Sequence, residues 1–139
     1  MQVLGRRWGR VVRALFHRRH YASALRGFSV YRKPLTSLIR YLTMSVDYPS
    51  VVGLRTPQGP LDVTLYTPDD LVTVNEIFCR NDYLPPNDFE VVVDFGSNIG
   101  ISALYWLTRN EKATVWLYEP LPQNIERLKH NLRGFEGRY

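Results

Sequence analysis

The pattern of apolar and polar positions divides the chain into an N-terminal arm and a following α/β segment. In the arm, apolar residues recur at the spacing of one helical face. These residues are Leu4, Trp8, Val11, Val12 and Leu15. Arginines fill much of the rest of this predicted helix over residues 4–15. We therefore assign residues 1–45 to a basic helical arm and residues 46–139 to a separate domain portion.

Two strands and a helix are predicted in the middle of the chain. Residues 61–66 alternate apolar and polar side chains, as a strand with one buried face requires, and residues 50–55 form its partner in a β-hairpin. The turn between them contains Gly59, which can adopt a positive φ. Thr67 and Pro68 then mark the start of a helix. Its predicted buried positions are Leu71, Val74, Ile77 and Phe78.

From residue 91 the pattern changes to that of a βαβ unit. Residues 91–93 are three consecutive valines, which is typical of a strand buried on both faces of a parallel sheet. A glycine-containing turn at residues 94–100 leads into a helix, a second strand at residues 113–118 and a last helix with Gly134 as its C-terminal cap. This order predicts an α/β fold of the Rossmann-like type with a right-handed crossover.

The charge of the chain is divided between its two parts. The sequence holds 18 Lys and Arg residues and 13 Asp and Glu residues, and ten of the cations precede Asp47, the first acid. Residues 47–139 therefore have 8 cations against 13 acids, a formal charge of −5. A uniformly basic nucleic-acid-binding domain is disfavoured, so we expect no nucleic-acid partner. The single cysteine, Cys79, excludes an internal disulfide and a multi-cysteine zinc site, and we assign no metal site.

Three interpretations of the arm stay open. Its arginine-flanked apolar face suits a helix that lies on an anionic membrane surface. Its acid-free, arginine-rich composition resembles an organellar transit peptide. Alternatively, the helix packs on the protein and its arginines are solvated. No uncharged apolar run approaches the ~20 residues of a membrane-spanning helix. We expect a cytoplasmic protein, with peripheral membrane contact through the arm as one alternative.

The candidate chemistry lies in the turn after the first core strand and at the tip of the next strand. The turn holds the candidate binding residues Asp94, Gly96, Ser97, Asn98 and Gly100. Glycine lets a strand turn sharply into a helix and lets a ligand approach the backbone, and the helix N-terminus offers N–H groups. Glu119 stands 19 positions after Gly100, close to the ~20 expected of an acid that accepts hydrogen bonds from ribose hydroxyls. These features together predict a nucleoside-binding site.

The glycine spacing narrows the choice of nucleoside. Gly96 and Gly100 are separated by three residues, whereas the dinucleotide fingerprint requires three glycines. Asp94, two positions before Gly96, suits a ligand with a positive end rather than a pyrophosphate. A nicotinamide-dependent oxidoreductase is therefore disfavoured. The pattern is similar to motif I of class I methyltransferases, whose cofactor S-adenosylmethionine carries an ammonium and a sulfonium. Many of these enzymes have a glycine at the position of Asn98, and asparagine tolerates left-handed backbone.

The resemblance extends to one methyltransferase family. Residues 92–100, followed by Glu-Pro-Leu-Pro-Gln-Asn at residues 119–124, resemble the FkbM family. Residues 68–78 are similar to the lead-in of that family, and the similarity covers roughly residues 50–133. The resemblance implies an S-adenosylmethionine-dependent enzyme that O-methylates a hydroxyl on a sugar or secondary metabolite. The implied partner is a small-molecule hydroxyl acceptor.

The fold that the resemblance implies is larger than residues 46–139. A class I methyltransferase sheet has several strands beyond the two predicted here, and one helix follows Glu119. We therefore expect the N-terminal portion of a methyltransferase domain, an incomplete Rossmann-like fold behind the helical arm and β-hairpin. Its catalytic residues would lie further along the sequence. The alternative is a non-catalytic, truncated remnant whose basic amphipathic arm binds a membrane surface or a partner.

Overall fold

A computed structural model describes residues 2–3, 6–7, 18–43, 46–84, 86 and 88–139. The apolar face predicted in the arm lies outside these residues. Strand β1 (Gln2–Val3) pairs antiparallel with β2 (Arg6–Arg7). The helix predicted over residues 4–15 is therefore wrong at Arg6 and Arg7, whose backbone pairs with a neighbouring strand.

The second part of the arm forms two helices that connect to a β-hairpin. Helices α1 (Arg18–Val30) and α2 (Pro34–Thr43) are followed by strands β3 (Ser50–Thr56) and β4 (Gly59–Leu65). The two strands pair antiparallel, as predicted, and the turn residue Gly59 has a φ of +111°. The arm is attached to the hairpin by Arg32, whose backbone N–H donates to the Gly53 carbonyl oxygen at 2.8 Å.

Helix α3 (Pro68–Val74) begins at the predicted position. The carboxylate of Asp70 accepts hydrogen bonds from the backbone N–H groups of Tyr66 at 2.7 Å and Thr67 at 2.8 Å. Such capping satisfies N–H groups that lack partners within the helix. A π-helical turn at Asn75–Cys79 continues α3. The two segments bury the predicted apolar positions Leu71, Val74, Ile77 and Phe78.

The C-terminal part forms a parallel βαβ unit. Strand β5 (Val91–Phe95), helix α4 (Ile101–Leu107), strand β6 (Thr114–Tyr118) and helix α5 (Pro122–Asn131) follow in the predicted order. Strands β5 and β6 pair in parallel from Val91 opposite Thr114 to Phe95 opposite Tyr118. The described residues thus form a mixed α/β structure with three two-stranded sheets.

The hydrophobic core joins the hairpin to the helices of the βαβ unit. Buried side chains from β3, β4, α3, α4 and α5 form one cluster. Its most deeply buried members include Leu54, Val63, Leu65, Leu71, Val74, Leu104, Leu107 and Leu132. This packing holds α4 and α5 against the hairpin and thereby fixes the turn between β5 and α4.

One face of the parallel sheet is open to solvent. Val91 is 64% exposed and Val93 is 52% exposed, and Phe95 and Trp116 are exposed as well. The prediction that residues 91–93 form a strand buried on both faces is therefore wrong. No described element packs against this face, so the β-branched run is covered on the other side only.

The described helices do not include a candidate membrane span. The longest of them, α1, has 13 residues, and none combines the length and the apolar character needed to cross a bilayer.

Candidate nucleoside site at the ends of the parallel strands

The turn between β5 and α4 is held in place by the end of β6. The backbone N–H groups of Gly96 and Ser97 both donate to the Tyr118 carbonyl oxygen, at 2.8 and 3.2 Å. The Gly100 N–H then donates to the Ser97 carbonyl oxygen at 2.8 Å, which closes the turn before α4 begins. The candidate residues that the sequence placed in this turn are thus brought beside the tip of the second strand.

Three residues of the turn have left-handed backbone. The φ angles are +81° at Gly96, +46° at Asn98 and +87° at Gly100. Asparagine tolerates this left-handed backbone, so Asn98 is compatible with a position that is glycine in many class I methyltransferases. A Cβ on Gly100 would meet Leu128 Cγ at 3.3 Å, whereas a Cβ on Gly96 would have no atom within 4 Å. Gly100 therefore serves helix packing, while the space over Gly96 is open to a ligand.

Glu119 lies at the tip of β6 and bonds to the turn. Its Oε2 accepts a hydrogen bond from the Asn98 backbone N–H at 2.8 Å. Its Oε1 accepts from the Leu121 N–H at 3.0 Å and from Asn124 Nδ2 at 3.2 Å. These bonds, led by that of the Leu121 N–H, lower the pKa of Glu119 below its ordinary value. The carboxylate is therefore kept ionised and fixed in position.

Asp94, the last polar residue of β5, is oriented from the following helix. Ser102 Oγ in α4 donates to Asp94 Oδ2 at 2.6 Å. Among the described residues, the second carboxylate oxygen, Oδ1, has no hydrogen-bond partner. Asp94 is half-buried, and Oδ1 is an acceptor on a carboxyl group whose other oxygen is held by Ser102. It suits a ligand group that carries positive charge.

The side chain of Ser97 serves the turn itself. Ser97 is buried, and its hydroxyl donates to the Asp94 carbonyl oxygen at 2.9 Å. This bond spans three residues, as is common for serine in turns. The hydroxyl proton of Ser97 is therefore used in a hydrogen bond that stabilises the turn.

Three residues that contribute to the site were not assigned to it from the sequence. Ser102 holds Asp94, and Asn124 holds Glu119. Asn131 of α5 donates from Nδ2 to the carbonyl oxygen of Ile99 at 2.9 Å and is buried. The signal for Asn131 is a polar residue on the helix face that also carries Leu128 and Leu132. Ser102 is an ordinary first-turn helix residue and gives no such signal, whereas Asn124 ends the Glu-Pro-Leu-Pro-Gln-Asn segment that resembles the FkbM family.

A groove borders the candidate site. It has a volume of about 440 Å³ and runs along the outer edge of β6, against α5, with Glu119 in its wall. On the same edge, the Val115 N–H donates to the Arg138 carbonyl oxygen at 2.9 Å. None of residues 94–100 lines the groove. Of the candidate binding residues, Glu119 is the one in its wall.

The assembled site is a strand–turn–helix with two oriented carboxylates at the carboxyl ends of parallel strands, a common location for ligands in α/β folds. Comparison with known proteins gives one partial similarity. Over 96 residues, or 69% of this chain, the sequence is 38% identical to the AMB antimetabolite synthetase AmbE of Pseudomonas aeruginosa. The chain spans 4% of the length of that protein. No protein-family model matches the chain, so these comparisons do not support membership of the FkbM family. No solved structure matches it.

Proposed function

We propose that residues 46–139 bind S-adenosylmethionine as part of a methyltransferase domain with a Rossmann-like fold. The enzyme would transfer a methyl group to a hydroxyl of a small acceptor, as the FkbM-like residues imply. The observation that carries the proposal is the 2.8 Å bond between the Asn98 N–H and Glu119, because it joins the glycine turn to the strand-tip acid.

Glu119 has the acceptor capacity that a ribose requires. A carboxylate offers about four lone-pair sites, and three protein donors contact Glu119. The Asn98 N–H reaches Glu119 from the turn. A ribose hydroxyl that approaches from the open side can therefore donate to a carboxylate oxygen of Glu119. Glu119 is ionised at neutral pH, as a glutamate with a lowered pKa must be, and a charged acceptor strengthens such bonds.

Asp94 and Gly96 suit the amino-acid end of the same ligand. The free oxygen of Asp94 is a charged acceptor for an ammonium group. The space over Gly96 allows the ligand to approach the backbone closely. The two carboxylates thus present negative charge to a cofactor whose reactive end is cationic.

When bound, S-adenosylmethionine supplies an activated methyl group on its sulfonium. The residues of this chain bind and orient that group, and orientation is a large part of the rate enhancement in two-substrate reactions. None of them is assigned a role in deprotonating the acceptor. The similarity to an antimetabolite synthetase favours a secondary metabolite over a sugar as the acceptor.

Calorimetric titration with S-adenosylmethionine tests the proposal. Glu119→Ala removes charge-assisted hydrogen bonds and is expected to weaken binding by about 1.5–3 kcal/mol. Glu126→Ala is the matched control, because Glu126 is an exposed acid of α5 that pairs with the exposed Lys129. Equal affinity in the two variants would remove Glu119 from the site. Binding of a nicotinamide dinucleotide in place of S-adenosylmethionine would instead favour the oxidoreductase.

A further inference from the structure

Helices α1 and α2 expose a set of large apolar side chains, while Val30 of α1 and Tyr41 of α2 pack against the core. The side chains that face the protein include Ser23, Gly27 and Ser37, all buried. The large apolar side chains are 43–73% exposed. They are Leu25 and Phe28 on α1 and Leu35, Ile39 and Leu42 on α2. A surface helix usually buries most of its apolar side, so five large exposed apolar side chains on these two helices are unusual.

The exposed residues of α2 form a continuous face. Leu35, Ile39 and Leu42 follow the i, i+4, i+7 spacing, which places them in one row along the helix. We call this row the α2 stripe. Ser37 is buried on another side of the same helix, so α2 contacts the protein without using the stripe. The stripe is therefore available to a partner.

The charged residues of the segment that forms α1 and α2 are of one sign. Residues 18–43 contain six Lys and Arg residues and neither Asp nor Glu. Arg32 is paired with Asp62, and Arg40 donates to the Val51 carbonyl oxygen. Arg26 and Lys33 are exposed, and neither side chain has an ion pair within the described part of the chain. Apolar side chains flanked by unpaired cations are the composition that anionic lipid surfaces attract.

We propose that α1 and α2 dock on an anionic phospholipid bilayer, with the α2 stripe and Leu25 and Phe28 inserted at the interface. A second copy of this chain is disfavoured as the occupant, because the uniform positive charge of this surface would face itself across a symmetric contact. A nucleic acid would use the cations but leave the stripe in water. These residues differ from the apolar face predicted at residues 4–15, and the proposal is independent of cofactor binding.

Co-sedimentation of the full chain with vesicles tests this docking. We expect binding to vesicles of phosphatidylcholine mixed with phosphatidylglycerol, and much weaker binding to phosphatidylcholine alone. Replacing the stripe by Leu35→Ser, Ile39→Ser and Leu42→Ser should weaken binding by roughly tenfold or more, since insertion depends on the buried apolar area. Leu84→Ser is the control, because Leu84 is an equally exposed leucine outside the two helices.

The charge contribution is tested separately by Arg26→Ser with Lys33→Ser. This variant should bind anionic vesicles more weakly and respond less to added salt. Circular dichroism and sedimentation velocity check that each variant remains folded and keeps the association state of the wild type. Unchanged vesicle binding by the stripe variant would overturn the proposal. So would a wild-type dimer that the stripe variant dissociates, because the stripe would then bind a second copy.

Discussion

Two glycines with the same backbone conformation differ in what surrounds them. Gly96 has a φ of +81° and Gly134 a φ of +89°, and a Cβ on either would have no atom within 4 Å. Alanine at each position therefore carries a similar backbone strain of about 1 kcal/mol. Only Gly96 lies in the turn beside Glu119. A comparison of alanine variants at these two positions therefore separates the backbone strain of the substitution from its effect on ligand binding.

We expect Gly96→Ala to weaken S-adenosylmethionine binding by roughly tenfold or more. The new methyl group would occupy the space through which the ligand approaches the protein backbone. Gly134→Ala should bind the ligand as the wild type does. Calorimetric titration measures the affinities, and urea unfolding verifies that both variants lose similar stability. Equal affinities would mean that the turn only connects β5 to α4.

Glu119 makes the stability of the turn dependent on pH. Its folded-state pKa lies below the ordinary value because the Leu121 N–H, the Asn98 N–H and Asn124 bond to the carboxylate. The unfolded chain therefore takes up the proton first as the pH falls. The stabilisation is complete above the ordinary glutamate pKa of about 4.3 and is lost as the pH falls through the lower folded value.

Glu119→Gln should therefore flatten the fall in stability between neutral pH and the acid range. The expected difference is a few tenths of a kcal/mol, because solvent screens this largely accessible carboxylate. Urea unfolding at a series of pH values measures it, with Glu126→Gln, at an exposed acid of α5, as the control. An identical pH profile in wild type and Glu119→Gln would show that the three bonds contribute nothing to folding.

The conformation of a single residue is best predicted from the sequence where a turn requires a particular φ angle. The left-handed position of Asn98 and the positive φ of Gly59 follow from turn chemistry alone. The bond from Ser102 to Asp94 crosses from a helix to a strand, and serine in a first turn has many alternative partners. Such a contact requires the packed structure to be known.

At the scale of elements, one side chain joins the hairpin, the turn and α5. Asn131 Oδ1 accepts from the Thr64 backbone N–H at 2.9 Å. Its Nδ2 donates to the carbonyl oxygens of Thr64 at 3.1 Å and Ile99 at 2.9 Å. The amide thus bonds to the backbone of β4 at Thr64 and to the backbone of the turn at Ile99. Its removal would leave three backbone groups without these partners.

Asn131→Ala should lower the free energy of unfolding by about 2–3 kcal/mol, since buried groups that lose their partners retain the full desolvation cost. His130→Ala is the control, because His130 contacts Thr64 Oγ1 at an exposed position. Its effect should stay within about 0.5 kcal/mol. Chemical denaturation measures both, and a loss in Asn131→Ala no larger than that of the control would contradict this role.

The order of elements from residue 50 onward and the buried face of α3 were predictable, whereas the burial of β5 was not. Alternation along β4, the capping sequence at Thr67 and the glycine turn after β5 each carry local information. The burial of β5 depends on which layers cover the sheet, and a run of valines does not specify them. The same reasoning applies to the arm, where the pairing of β1 with β2 is a contact between segments and overrides helical spacing at Arg6 and Arg7.

At the scale of the whole molecule, the described residues leave one face of the parallel sheet open to solvent. Phe95 stacks on Tyr118 at a centroid distance of 4.9 Å, and Val93 and Trp116 continue the face. All four side chains are more than half exposed. Contiguous apolar surface of this kind binds hydrophobic dyes and promotes association.

We therefore expect the native chain to bind the dye ANS at this face while retaining fixed tertiary packing. The variant Phe95→Ser with Trp116→Ser should lose most of the dye fluorescence, and the α2 stripe variant should lose less, because the sheet face carries the larger aromatic area. Retained near-ultraviolet circular dichroism and a cooperative melt distinguish a dye-binding face from a loosely packed state. If the sheet variant kept its full fluorescence, the dye would lie elsewhere and the face would have to be covered in solution.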